Sequence, residues 1–193
     1  MSDFRIIVLA SGAGTLFQEL LDTRKVHQGK IVGLITDVDC PAQERAKAAA
    51  IPHYLIPIGN NRAAWDLNLT NLLKQLQPDL IVSAGFMKII GPQVLEAFSG
   101  RIINTHPALL PKFPGAHAVA DTLAAGEKVT GSTIHFVDEG VDTGEVIAQE
   151  KVEIEVFDNE NTLHERIKVI ERKLLVDVVA KFVSGELLAK AGN

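Results

Sequence analysis

Residues 4–15 read Phe-Arg-Ile-Ile-Val-Leu-Ala-Ser-Gly-Ala-Gly-Thr. From Phe4 to Ala10 the run is apolar and β-branched, with only Arg5 interrupting it. Both faces of such a strand must be buried, which is the mark of an interior parallel strand. Ser11-Gly12-Ala13-Gly14 then breaks the strand, and Thr15 to Leu21 has helical spacing, with Leu16, Leu20 and Leu21 on one side. Strand, glycine turn, helix is the opening unit of an α/β fold, and its turn is where an anion would sit.

The same unit recurs along the chain. Lys30–Asp37 reads as a second strand, and Pro41 starts a helix through Ala50. His53–Ile58 is a short strand, Ala63–Gln75 a helix, and Asp79–Gly85 a fourth buried strand. Pro92–Phe98 is a short helix, Arg101–Thr105 a strand, and Val119–Ala125 a helix capped by Gly126. Thr130–Val137 and Glu145–Val152 leave no room for a crossover helix between them, so they pair as a hairpin. Asn161–Val183 is a long amphipathic helix with Leu163, Ile167, Ile170 and Leu174 on one stripe. The expected fold is α/β: a Rossmann-like, mostly parallel sheet with helices on both faces, a C-terminal antiparallel hairpin and a long C-terminal helix. Ligands of such sheets bind at the carboxyl ends of the strands, near the switch in strand order.

Composition narrows the classes. The 193 residues are 47% hydrophobic and 22% charged, as expected of a globular protein, and suit one domain. Every apolar run is broken well before bilayer length, so no membrane partner is expected. The N-terminus lacks a basic region ahead of its apolar stretch and is read as a strand, not a signal peptide. Nineteen Lys and Arg against 24 Asp and Glu give a net charge of −5, which argues against a nucleic-acid partner. Cys40 is the single cysteine. It excludes an intramolecular disulfide and a cysteine-rich zinc site, and the cytoplasm is the default location.

Three loops contain candidate chemistry. In Ser11–Thr15 the glycines let backbone N–H groups approach a phosphate at a helix start. The alternative is a tight turn using Gly for geometry. Phe17 occupies the third Gly position of a dinucleotide fingerprint, and no Gly-Lys-Ser/Thr follows to make a P-loop. Asp37 or Asp39 could still imitate the acidic residue that holds a ribose. Asn104-Thr105-His106-Pro107 ends the predicted fifth strand, where alternation puts Asn104 and His106 on one side. A neutral donor beside a titratable imidazole suits a carbonyl that becomes an oxyanion, although such a pair also occurs as plain structure. Asp142, in the predicted hairpin loop, is either turn chemistry or a carboxylate folded back onto His106, where it would raise the imidazole pKa. No His/Cys cluster or His-Glu-x-x-His occurs, so no metal is expected. Of the other histidines only His117, beside the Pro-Gly loop, warrants attention. Glu171, among Arg166, Lys168, Arg172 and Lys173, reads as part of a solvated helix face.

Taken in order, IVLASGAGT (residues 7–15), DLIVSAGFMKII (79–90), RIINTHPALLPKFPGAH (101–117) and GSTIHFVDEGVDTGEVIAQ (131–149) resemble the glycinamide ribonucleotide (GAR) formyltransferase family over nearly the whole chain. The block around Asn104–His117 with Asp142 is shared with other enzymes that use 10-formyltetrahydrofolate, including methionyl-tRNA formyltransferase and formyltetrahydrofolate hydrolase. The Ser-Gly-x-Gly-Thr turn favours the GAR branch. The expectation is also that the chain lacks the additional domains of the other two.

The resemblance implies formyl transfer from 10-formyltetrahydrofolate, as co-substrate, to the amine of GAR in purine biosynthesis. Asn104 and His106 would stabilise the oxyanion, with His106 protonated at rest as one option. Asp142 would raise the His106 pKa and help manage the amine proton. Gly14, Thr15, Leu16 and Glu171 match the GAR side. Arg62, Met87, Lys88, Ile89, Ile90, Asn104 and the loop Asp138, Glu139, Gly140, Val141 and Asp142 match the folate side. Residues 1–100 are expected to form the nucleotide and phosphate half of one domain, and 101–193 the catalytic and folate half. A homodimer is left open. Two positions depart from the family pattern. Leu16 stands where many relatives have Asn, leaving only a backbone contact, and Lys88 stands where Arg is common, which could change contact with the folate's glutamate tail.

Overall fold

A computed structural model describes residues 3–188. Residues 1–2 and 189–193, the ends of the expected domain, lie outside the described residues. Seven strands form one sheet: β1 (Arg5–Ala10), β2 (Lys30–Thr36), β3 (His53–Leu55), β4 (Leu80–Ser83), β5 (Ile102–His106), β6 (Val129–Phe136) and β7 (Val146–Glu153). Their order is β3-β2-β1-β4-β5-β6-β7. The first five are parallel, and β6 and β7 run antiparallel. The order reverses between β1 and β4, which opens a crevice above their carboxyl ends.

Seven helices cover the sheet: α1 (Thr15–Asp22), α2 (Arg24–His27), α3 (Pro41–Ala48), α4 (Arg62–Leu76), α5 (Pro92–Ala97), α6 (Ala118–Ala124) and α7 (Glu160–Ser184). Alternation along the strands divides the core. Ile6, Val8, Leu80, Val82, Ile103 and Ile134 pack against α1, α3 and α7. Ile7, Leu9, Ile81 and Ile102 face Trp65, Leu69 and Leu73 of α4 and Val94 of α5. The predicted strand over His53–Ile58 is only three residues long, because its sole neighbour β2 ends at Thr36, whose carbonyl takes the Ile56 N–H as the last bond of the ladder. The one-turn α2 escaped prediction, being too short for periodicity to register.

Two polar devices fix helix N-termini near the crevice loops. The α7 N-terminus has a full capping box, Asn159 and Thr162 each bonding the other's backbone N–H. The α5 N-terminus is held by buried Asp66, whose Oδ2 accepts the Gln93 N–H at 2.9 Å.

Candidate active site

The crevice forms a cleft of about 500 Å³, lined by residues 12–16, the 83–90 segment, residues 104–107, the β6–β7 loop, and His164, Lys168 and Glu171 of α7. Both halves of the chain therefore line it.

The turn after β1 is shaped from behind. Gly14, the α1 N-cap, has φ +68°. A Cβ there would meet Ala42 Cβ at 2.7 Å and Ala42 Cα at 2.9 Å, so only Gly fits. The Ala42 N–H donates to the Gly12 carbonyl at 3.2 Å, and Arg45 Nε donates to the Ala13 carbonyl at 2.7 Å. Helix α3 thus takes two successive carbonyls of the turn, leaving the first N–H groups of α1 facing the cleft. The Leu16 side chain is packed in the core, so only its backbone is available at this site.

Glu171 is only 6% exposed, which corrects the reading of a solvated helix face. Ser132 Oγ donates to its Oε1 at 3.4 Å, and burial pushes its pKa up despite that bond, the Thr105 hydroxyl, Lys168 and Arg172. Leu163, Ile167, Glu171 and Leu175 are all buried at i, i+4 spacing. A charge inside that apolar stripe was the available signal. The stripe through Ile170 and Leu174 is half-buried instead.

On the opposite face of β5, Asn104 and His106 point together, in register with His135 and Thr133 of β6. The loop after β6 folds back over them. Asp142 Oδ2 lies 3.3 Å from His106 Nδ1, and its Oδ1 lies 3.4 Å from both Asn104 Nδ2 and His135 Nε2. Gly115 N–H donates to Asp142 Oδ2 at 2.8 Å, and His106 Nε2–H donates to the Phe113 carbonyl at 2.8 Å. Both residues gripping the imidazole, Phe113 and Asp142, have left-handed backbone, φ +55° and +54°. Such strain costs about 1–2 kcal/mol per residue and is tolerated where surrounding structure over-determines it.

The electrostatics follow. The adjacent His135 first, then the Gly115 N–H and His106, hold the Asp142 carboxyl down to about 2 against the effect of burial. His106 sits below its ordinary value, because burial outweighs the upward pull of Asp142 and the Phe113 carbonyl. The free site therefore pairs a carboxylate with an imidazole biased toward neutrality, which weighs against the option of an imidazolium at rest. Asn104 Nδ2 is also 3.2 Å from His135 Nε2. Its contacts to His135 and Asp142 are long enough for a closer carbonyl oxygen to replace one.

Met87, Lys88, Ile89 and Ile90 line the cleft, as do Asp138, Gly140 and Val141. Arg62 and Glu139 do not. Arg62 lies over the Trp65 ring, 4.8 Å from its centroid, and donates to the Ile89 carbonyl, so it braces the loop from outside. The Glu139 side chain is exposed at the hairpin tip. Lys88 Nζ lies 3.4 Å from Asp37 Oδ2. Asp37 is itself buried, which removes it as a ribose ligand. Exposed His117, the N-cap of α6, lies outside the cleft. Sequence reasoning passed over His135, His164 and Lys168. An isolated His in a β-run carries no signal until strand register is known, and His164 and Lys168 read as one polar helix face. Among the described residues no three or more His, Cys, Asp or Glu are grouped to hold a metal. No helix among them is long and apolar enough to cross a membrane.

The sequence matches the formyl transferase family over residues 4–179. A phosphoribosylglycinamide formyltransferase of Mycobacterium tuberculosis is 51% identical over 179 residues, spanning 91% of this chain and 83% of its own. The crystal structure of phosphoribosylglycinamide formyltransferase from Bacillus halodurans superposes with a TM-score of 0.90 at 39% identity, covering 95% of this chain and 97% of that one. Glycinamide ribonucleotide transformylase 1 from Symbiobacterium toebii gives 0.93 at 35% identity, over 98% and 92%. Extent, identity and shape agree: the chain belongs to the formyl transferase family, in its phosphoribosylglycinamide formyltransferase branch.

Proposed function

We propose that this chain transfers the formyl group of 10-formyltetrahydrofolate to the amine of N1-(5-phospho-D-ribosyl)glycinamide, giving formylglycinamide ribonucleotide and tetrahydrofolate in de novo purine biosynthesis. The observation that carries the reading is the Asp142 carboxylate lying against both His106 and Asn104 in the cleft, in a member of this family.

In this reading the phosphate of GAR sits on the N–H groups of Gly14, Thr15 and Leu16 at the start of α1, and Glu171 orients the ribonucleotide. The folate lies along Met87–Ile90 and under the Asp138–Asp142 loop. Arg62 and Glu139 act on that side by bracing or bordering it. The amine attacks the formyl carbon, and the carbonyl oxygen becomes an oxyanion beside Asn104 Nδ2, which gives up one of its long contacts to meet it. His106 starts neutral and takes the proton that the attacking amine loses. It then passes that proton to N10 of the folate as the carbon–N10 bond breaks, the oxyanion returns to a carbonyl and tetrahydrofolate leaves. The imidazolium formed in between is held between the Asp142 carboxylate and the Phe113 carbonyl. Asp142 stays ionised throughout, being far below its ordinary pKa. The substrates and the disulfide-free chain are in keeping with a cytoplasmic enzyme.

The test follows absorbance as 10-formyl-5,8-dideazafolate loses its formyl group, with and without GAR. Turnover that strictly requires GAR is the expected result. Equal turnover without GAR would replace the transferase with a hydrolase, and none in either case would end the reading.

A further inference from the structure

Asp37 plays no part in the chemistry above, yet its side chain is 1% exposed and stands just past the end of β2 behind the cleft. Ser11 Oγ donates to Asp37 Oδ1 at 2.5 Å and accepts the Met87 N–H at 2.8 Å. The Ser11 N–H donates to the Gly85 carbonyl at 3.1 Å. Asp37 Oδ2 is buried with no hydrogen bond and faces Lys88 Nζ at 3.4 Å. Gly85, Met87 and Lys88 are therefore all tethered through the Ser11–Asp37 pair. Apolar packing holds only Phe86 of this segment, stacked on Trp65, since Met87 is 74% and Ile89 61% exposed.

We infer that Ser11 and Asp37 form a positioning relay that sets the shape of the 85–89 segment, and through it the affinity for the formyl donor, without touching either substrate. The inference rests on reading that segment as the folate cleft. A serine hydroxyl has one proton, and Asp37 takes it, so that a lone pair is left for the Met87 N–H. Asparagine at 37 cannot serve both sides. With its oxygen toward Ser11, its NH₂ opposes the Lys88 ammonium. With its NH₂ toward Ser11, the hydroxyl oxygen accepts from both the amide and the Met87 N–H, and the hydroxyl's own proton loses its acceptor.

The experiment measures dissociation constants for 10-formyl-5,8-dideazafolate and for GAR separately, by calorimetry, in the wild type, Asp37→Asn, Ser11→Ala and the cleft control Ile89→Glu. Loss of one charge-assisted hydrogen bond predicts about tenfold weaker folate analogue binding in Asp37→Asn. GAR affinity and kcat should stay within about twofold. Ser11→Ala, which removes only a hydroxyl and tests the relay even if Asp37→Asn fails to fold, should also weaken the analogue and speed hydrogen exchange at the Met87 amide. Weakening by Ile89→Glu alone would overturn the relay and leave the cleft assignment standing. No weakening by any variant would overturn the cleft assignment, and the relay with it. Equal loss of GAR and folate affinity in Asp37→Asn would also overturn the relay, since the effect would then be general.

Discussion

Replacing Gly14 by alanine should cost the protein its grip on GAR, and the cost divides into two parts. The first is conformational: alanine at φ +68° carries about 1–2 kcal/mol of left-handed strain. The second is steric. The new Cβ would stand 2.7 Å from Ala42 Cβ and 2.9 Å from Ala42 Cα, where unstrained carbons keep about 3.5–4.0 Å. Opening that gap means moving the turn or the start of α3, and overpacking of this kind costs about 1–3 kcal/mol. Gly126→Ala separates the two parts, because Gly126 has φ +67° with no atom within 4 Å of its would-be Cβ. Urea unfolding should show Gly14→Ala the more damaging by the steric part, and calorimetry should show GAR binding lost in it alone. Adding Ala42→Gly removes the nearer contact and leaves the one at 2.9 Å, so rescue should be partial. If Gly14→Ala cost no more than Gly126→Ala and bound GAR normally, the close packing of α3 behind the turn would have no functional meaning.

The remaining expectations concern the reacting groups and the helix that reaches them. His106→Ala should abolish GAR-dependent turnover in a chain that still folds, as its circular dichroism would show, although loss of a buried bonded ring lowers its stability. Surviving activity would refute its role. In Asp142→Asn the upward pull on His106 disappears and burial acts unopposed by it. The imidazole pKa therefore falls further, and the acid limb of the kcat/KM profile should move to lower pH as the rate drops. A limb that stays in place would remove Asp142 from that task. Glu171 has a raised pKa, so its ionised form disfavours the fold once pH climbs above the unfolded value of 4.5. Glu171→Gln should therefore raise the melting temperature at pH 8, show little gain at pH 4, and weaken GAR binding; an unchanged Tm at pH 8 would contradict the burial argument. Asn159→Ala breaks the α7 capping box and should cost about 1 kcal/mol in urea unfolding.

Much of this was readable beforehand because local chemistry and tertiary packing agree. The buried run ending at Ala10, the Gly turn and the apolar faces of α1 and α4 each admit one element type. The pairing of Asn104 with His106 followed from strand alternation alone. What stayed hidden depends on register and on loops that double back. His135 joins the site only because Asn104 lies opposite it across β5 and β6. Asp142 reaches His106 through a loop whose path no spacing rule describes. Glu171 was misjudged because its charged neighbours outvoted the i, i+4 apolar stripe in which it sits. The net fall in the His106 pKa was likewise invisible, since sequence shows a charge partner and not the degree of burial.

Strand β5 works from both sides at once. Asn104 and His106 project toward Asp142, while Thr105 between them projects toward Glu171 beneath α7. On the proposed assignment, the donor end and the acceptor end of the reaction are thus written on alternate letters of one five-residue word. Laboratory evolution of a new acceptor has no spare position there: a substitution at Thr105 removes the hydroxyl that bonds Glu171, and a single insertion would exchange the two faces outright. Variation that widens the substrate range should therefore accumulate in the turns at 12–16, 85–90 and 138–142, with β5 left untouched.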